Sequence, residues 1–227
     1  MQIDAREGHR KRMAERLMNS DLGAGTLYSY ELLEMLLFFV KKREDTKPLA
    51  KELISRFRSL KGVFSSPKGV LLDVNGIGPQ TVVLFRLMHE ICIRIRLEDL
   101  MEDQRISSVV DVVDYCSLCM SHLSHEQIRM LCLNKRNFLI SDIILQEGSL
   151  DAVSVDIRTL IYKAIGCGSN SIILVHNHPS GSELPSDDDI KMTLKLKDVA
   201  ASLGIKLFDH LIITKQKYFS MKSAGII

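Results

Sequence analysis

No run of eighteen apolar residues occurs in this 227-residue chain, which argues against a membrane-spanning helix. The opening residues, Met1-Gln-Ile-Asp-Ala-Arg-Glu7, contain no apolar signal core, so no secretory leader is expected. A charge bias is missing too. The net charge is +2; residues 1–102 hold 17 Lys+Arg against 14 Asp+Glu, and residues 103–227 hold 13 against 14. The first part is therefore mildly basic, which is compatible with nucleic-acid contact without demanding it. No aromatic-interleaved basic patch strengthens that reading. Five cysteines without a secretion signal point to reduced thiols in a cytoplasmic protein. Cys116-x-x-Cys119 has no second Cys-x-x-Cys partner and lies in the apolar, helix-like stretch 109–123. Core packing is expected there rather than redox or metal chemistry.

What is present is concentrated in Ile172-Ile-Leu-Val-His176-Asn-His178-Pro-Ser-Gly-Ser-Glu-Leu-Pro-Ser186-Asp-Asp-Asp189. The stretch 171–175 is short, apolar and β-branched, and predicts a buried strand. Side chains on a strand alternate with period two, so His176 and His178 share a face if the strand continues, and Asn177 points away. Pro179-Ser180-Gly181 turns the chain. Ser186 reads as the N-cap of a helix over 187–203, which places Asp189 on its first turn, able to reach back to the strand end. Two imidazoles and a carboxylate suit zinc, and three protein ligands leave one position open, as in a catalytic centre. Taken singly, His-x-His is a common surface pattern and Ser-x-x-Asp is an ordinary capping box. Their combination in one strand–turn–helix unit points to a metal site.

The first half of the chain reads as helices. A basic helix is expected over 10–19, opened by Gly8-His9-Arg10-Lys11-Arg12. A mostly buried helix follows over 29–40, and another behind Asp45-Thr46-Lys47-Pro48 to about Phe57. Leu71-Leu-Asp-Val-Asn75-Gly76-Ile77-Gly78-Pro79 then leads into an apolar helix from Gln80 to about Ile95. Helix, Gly-Ile-Gly turn, helix is the pattern of a helix-hairpin-helix. Gly76 and Gly78 would let the backbone approach a phosphate, and the next helix's N-terminal amides would face the anion. Such DNA contact is sequence-independent. The alternative is a tight αα turn in a packing module. The polar, charged stretch 97–105 reads as a linker between domains at 1–100 and 105–227.

In the second half, 109–123 predicts a helix, and 127–133 and 138–145 two strands of a hairpin about Asn134-Lys-Arg-Asn137. The hairpin is expected to end at Gly148-Ser149. A helix over 156–165 follows, ended by Gly166-Cys167-Gly168. Beyond the metal-bearing unit, 205–214 and 218–221 read as closing strands. Helices and strands interleaved about one sheet make this an α/β domain.

The spacing His176-x-His178-x(7)-Ser186-x(2)-Asp189 matches the signature of JAMM (MPN+) metalloproteases. His176-Asn-His-Pro-Ser-Gly181, Pro185-Ser-x-x-Asp189 and Asp209-His210-Leu-Ile-Ile213 together resemble the RadC family over nearly the whole chain. The resemblance implies an N-terminal helix-hairpin-helix domain and a C-terminal JAMM/MPN-like, cytidine-deaminase-like mixed sheet. It also implies an upstream glutamate as general acid/base. Relatives carry it at the head of a strand reading Glu-x-Phe-Arg-Val-Leu-x-Leu-Asp, which aligns without a gap on Glu126-Gln-Ile-Arg-Met-Leu-Cys-Leu-Asn134 and selects Glu126 over Glu147. Ser186 would donate to the oxyanion or orient the water, and His210 is either a partner of the site or a packed or exposed histidine. The chain departs from relatives at Ile157-Arg158-Thr159 and at Ile143, outside the metal signature. The implied activity is zinc-dependent hydrolysis of a peptide or isopeptide bond in a peptide or protein substrate. The alternative is a DNA repair or recombination factor whose metal domain is a nuclease or a structural core.

Overall fold

The structure, a computed structural model, describes residues 5–227 except 22, 24, 43, 103–104 and 149–155, with the side chains of 5–7 also left aside. Ser149, predicted to end the hairpin, lies outside the described residues. The chain divides into two units, Met1–Glu90 and Ile91–Ile227. The first holds α1 (Ala5–Met18), α2 (Ser29–Phe38), α3 (Lys47–Phe57), α4 (Leu60–Phe64), α5 (Lys68–Leu72) and the start of α6 (Pro79–Glu102). Leu33 and Leu37 lie one helical turn apart on α2 and point inward. Ala50 and Leu53 of α3 meet them, with Val63, Leu71, Val82 and Phe85 closing the same core. Pro48 falls in the first turn of α3, where its missing N–H has no helical partner to lose.

The Gly8-His9-Arg10 segment is a clasp. His9 Nε2 lies 2.8 Å from the buried carboxylate of Glu34, and Arg10 donates to the carbonyls of Lys41 at 2.7 Å and Glu44 at 3.0 Å. The Arg10 guanidinium also covers the Phe38 ring, 4.5 Å from its centre. Helix α1 is thereby tied along α2 and just past its end. Farther on, α5 and α6 are joined through the Gly-Ile-Gly turn in the predicted order. Gly76 has φ +86°, a conformation that glycine alone adopts without strain.

The second unit contains α7 (Val110–Met120), β1 (Glu126–Leu133), β2 (Leu139–Gly148), α8 (Ile157–Gly166), β3 (Ser171–Asn177), α9 (Asp187–Ser202), β4 (Lys206–Ile213) and β5 (Tyr218–Ser220). The strands form one sheet in the order β2-β1-β3-β4-β5. Only β3 and β4 run parallel; the other neighbours are antiparallel. Alternation sorts the side chains into two cores. Leu131, Leu133, Ile173, Val175, Leu211 and Ile213 face α7. Met130, Cys132, Ile172 and Leu174 face α8 and α9. Helices therefore cover both faces, and β3 is buried along its whole length. Cys116 and Cys119 are buried in the α7 core, as their apolar setting predicts.

The polar stretch 97–105 is not a linker over most of its length. Helix α6 continues through Glu102, Leu100 is 1% exposed, and Ile93 and Leu97 pack beside it in the α7 core. These three apolar residues at i, i+4 and i+7 keep one face of the helix buried, while Glu98 and Asp99 are exposed.

Candidate metal centre

Strand β3 ends where the site begins. Its last residues carry His176 into the layer facing α9, and His178 follows one residue beyond the strand, its N–H bonded to the Ile213 carbonyl at 3.0 Å. The turn at Pro179 to Pro185 returns the chain to α9. Ser186 caps this helix: its hydroxyl accepts the Asp189 N–H at 3.1 Å, and Asp189 Oδ2 accepts the Ser186 N–H at 2.8 Å. Capping box and ligand are thus the same residue pair. Oδ2 also accepts the Ser186 hydroxyl at 2.6 Å, and the two carboxylate oxygens divide between the histidines, Oδ1 toward His176 and Oδ2 toward His178.

His176, His178 and Asp189 offer ligand atoms that all lie within 4.8 Å of one another. His176 Nε2 is 2.9 Å from His178 Nε2 and 3.5 Å from Asp189 Oδ1; His178 Nε2 is 3.7 Å from Asp189 Oδ2. Tetrahedral zinc with bonds of about 2.0–2.1 Å separates its ligands by about 3.3 Å. The donor set and its spacing fit that ion.

Burial and charge set the protonation of the group. Burial pushes the His176 imidazole down to about 4. His178 is raised, chiefly by the Asp189 carboxylate beside it, with the charge of Glu126 contributing. Burial by itself would raise Asp189, but His178, His176 and the Ser186 hydrogen bonds outweigh it and hold the carboxyl well below the usual range. Asp189 is therefore ionised and His176 neutral near neutrality, which is the state a metal requires.

Glu126 is the first residue of β1. The antiparallel register pairs Ile128 with His176 at the end of the β1–β3 ladder, and the charge of Glu126, two residues earlier on β1, acts on His178. Ile128 and Met130 face α8 and α9, so alternation puts Glu126 on the ligand-bearing face. Glu147 instead pairs with His125 at 2.9 Å. Gly76 and Gly78 belong to the other unit.

Three further residues surround the ligands. His210 Nε2 lies 2.8 Å from His176 Nδ1, and His210 Nδ1 lies 2.5 Å from the Thr193 hydroxyl. Of the two sequence readings of His210, partnership with the site is the one realised. Thr193 was not singled out, although it lies four residues after Asp189 and so shares its helix face. The third is Asn177, whose side chain points away from the ligands as predicted and binds β1 on both sides of Glu126.

A mixed sheet covered by helices on both faces, with a His-x-His pair at a strand end and an aspartate on the next helix, is an arrangement of the JAMM/MPN kind whose His-His-Asp group could hold a metal ion. Residues 106–226, more than half of the chain, match the family described as the RadC-like JAB domain. The chain belongs to the RadC family. No helix among the described residues is long and apolar enough to cross a membrane.

Proposed function

We propose that the chain is a zinc-dependent hydrolase acting on a peptide or isopeptide bond. The observation that carries this reading is the convergence of His176, His178 and Asp189, whose ligand atoms all lie within 4.8 Å of one another, and the charge of Glu126 acting on His178 supports it. His176, His178 and Asp189 would hold the zinc, which would supply a Lewis acid for a carbonyl and a water of pKa about 7. Glu126 takes the proton from the attacking water and returns it to the leaving amine. Ser186 orients Asp189 and, by turning its hydroxyl away from Oδ2, becomes a donor for the developing oxyanion. A cleft of ≈ 510 Å³, lined by Gly181 to Leu184 and Thr214 to Lys217, includes Ser182, whose carbonyl lies 2.8 Å from His178 Nδ1, and gives room for a substrate.

The test is metal analysis of the wild type and Glu126→Gln, followed by assays on peptide, isopeptide and DNA substrates. Zinc is expected to be retained in the variant while amide cleavage falls by about 10²–10⁴-fold. Unchanged turnover removes Glu126 as the base, and cleavage confined to DNA replaces the reading with a nuclease.

A second reading, a DNA contact at the Gly76–Gly78 turn, is favoured by one observation. No heavy atom lies within 4 Å of where a Gly78 Cβ would be, so the backbone at the head of α6 is open to approach. A salt-sensitive affinity for duplex DNA that disappears in Gly78→Asp would support it.

A further inference from the structure

Three hydrogen bonds lead from one ligand of the centre to the backbone of another, and their directions can be assigned. The Thr193 hydroxyl donates to the Asp189 carbonyl at 2.5 Å. A carbonyl has no proton to give, so the single hydroxyl proton is engaged there. The contact between Thr193 Oγ1 and His210 Nδ1, also 2.5 Å, must then have the ring as donor. His210 has no exposed surface, and a neutral imidazole that donates from Nδ1 has its lone pair on Nε2. That lone pair faces His176 Nδ1 at 2.8 Å, so His176 must donate from Nδ1. The same rule leaves the lone pair of His176 on Nε2, the atom directed at His178 and Asp189.

We propose that His210 and Thr193 are positioning residues that lock His176 in the Nδ1–H tautomer and so present its Nε2 lone pair to the metal. The lock closes on itself. It starts at ligand His176 on β3, passes through His210 on β4 and Thr193 on α9, and ends at the backbone of ligand Asp189. One chain of bonds therefore sets the tautomer of one ligand and the distance of the helix that carries another. A metal-ligating histidine generally donates its other ring N–H to a carboxylate or carbonyl. Here the acceptor is a second imidazole, whose own tautomer is fixed by a helix carbonyl four residues before Thr193. All three side chains are buried, Thr193 and His210 completely. A polar chain in that position costs stability unless each member is satisfied, and each is.

The inference rests on the zinc-site reading, and its test needs no substrate. Zinc affinity of the full chain is measured by competition with a chromogenic chelator for wild type, His210→Leu, His210→Gln and Thr193→Val. His210→Leu is expected to weaken zinc binding about 10–100-fold, as loss of such a partner generally does. His210→Gln, whose side-chain oxygen can still accept from His176 Nδ1, is expected to recover most of that loss. Thr193→Val is expected to fall between the two. Long-range ¹H–¹⁵N spectra of the zinc-loaded wild type should show His176 and His210 both protonated on Nδ1. A folded His210→Leu that binds zinc as tightly as wild type overturns the proposal. Protonation of His176 on Nε2 overturns it as well, and decides the matter should His210→Leu fail to fold. Failure of the wild type to take up zinc overturns the underlying metal reading, a result distinct from any difference among the variants.

Discussion

Asn177 accepts the Gln127 backbone N–H at 2.8 Å across fifty residues of sequence, and its amide donates to the His125 carbonyl at 3.0 Å. The two backbone groups flank Glu126, and Asn177 itself lies between His176 and His178. One buried side chain thus sets the head of the strand that carries Glu126 against the end of the strand that carries His176. It does so from the opposite face of the sheet.

Asn177→Ala should therefore separate base from metal. The substitution leaves the buried Gln127 N–H unpaired, at about 1–3 kcal/mol, and the half-buried His125 carbonyl without its protein partner. A denaturant titration is expected to show a loss of that order. Zinc content should stay near wild type because the ligand set is intact, while hydrolysis falls. Loss of zinc together with activity would assign Asn177 to the ligands instead.

Ser186→Ala removes the cap of α9 and two of the bonds that orient Asp189. The expected cost is about 0.5–2 kcal/mol of stability from the lost cap. Zinc affinity is expected to weaken by about tenfold from the freed carboxylate. Thermal melts with and without zinc separate the two effects, since only the second depends on the metal.

Zinc bound as proposed would compete with protons at His178. Its pKa is raised above the ordinary 6.5 by Asp189, so near pH 6 zinc must displace its proton. His176, pushed down to about 4, and Asp189, held well below the carboxylate range, are already free of theirs. Zinc affinity should accordingly rise with pH by about tenfold per unit up to the His178 pKa and level off above it. Calorimetry in buffers of different ionisation enthalpy should count about one proton released at pH 6 and fewer at pH 8. Two protons released at pH 6 would contradict the assignment.

On the α7 side of the sheet, Arg129 donates to both Gln127 and Asp142, and the Tyr115 hydroxyl also donates to Asp142. The Arg129 and Asp142 side chains are only 14% and 7% exposed. Asp142→Ala would leave the guanidinium without its counter-charge and should cost about 3–5 kcal/mol in equilibrium unfolding. Tyr115→Phe removes one neutral donor and should cost about 1 kcal/mol. Equal effects would show that the ion pair contributes nothing beyond a hydrogen bond.

Much of the fold was legible because its signals are local. Leu33 and Leu37 mark α2 by helical spacing, the apolar run Ser171 to Val175 marks β3, and Asn134 to Asn137 marks the hairpin turn. The linker assignment failed for the complementary reason. Charge density at Glu98, Asp99 and Glu102 masked the i, i+4, i+7 face of Ile93, Leu97 and Leu100, which becomes decisive only when a sheet lies against it.

The sequence by itself determined the ligand set. His176, His178, Ser186 and Asp189 fall within fourteen residues, and a strand end, a turn and a capped first helical turn bring such residues together by local geometry alone. Tertiary structure decided how they are supported. Whether β1 lies beside β3, and in which register, depends on burying apolar side chains on both faces of the sheet at once, and that pairing sets Ile128 opposite His176 and brings the charge of Glu126 to bear on His178. The parallel neighbour β4 brings His210 behind His176, and the packing of α9 on β4 lets Thr193 close the chain of hydrogen bonds. These contacts join residues 17 to 52 positions apart, a separation at which spacing along the chain carries no geometric information.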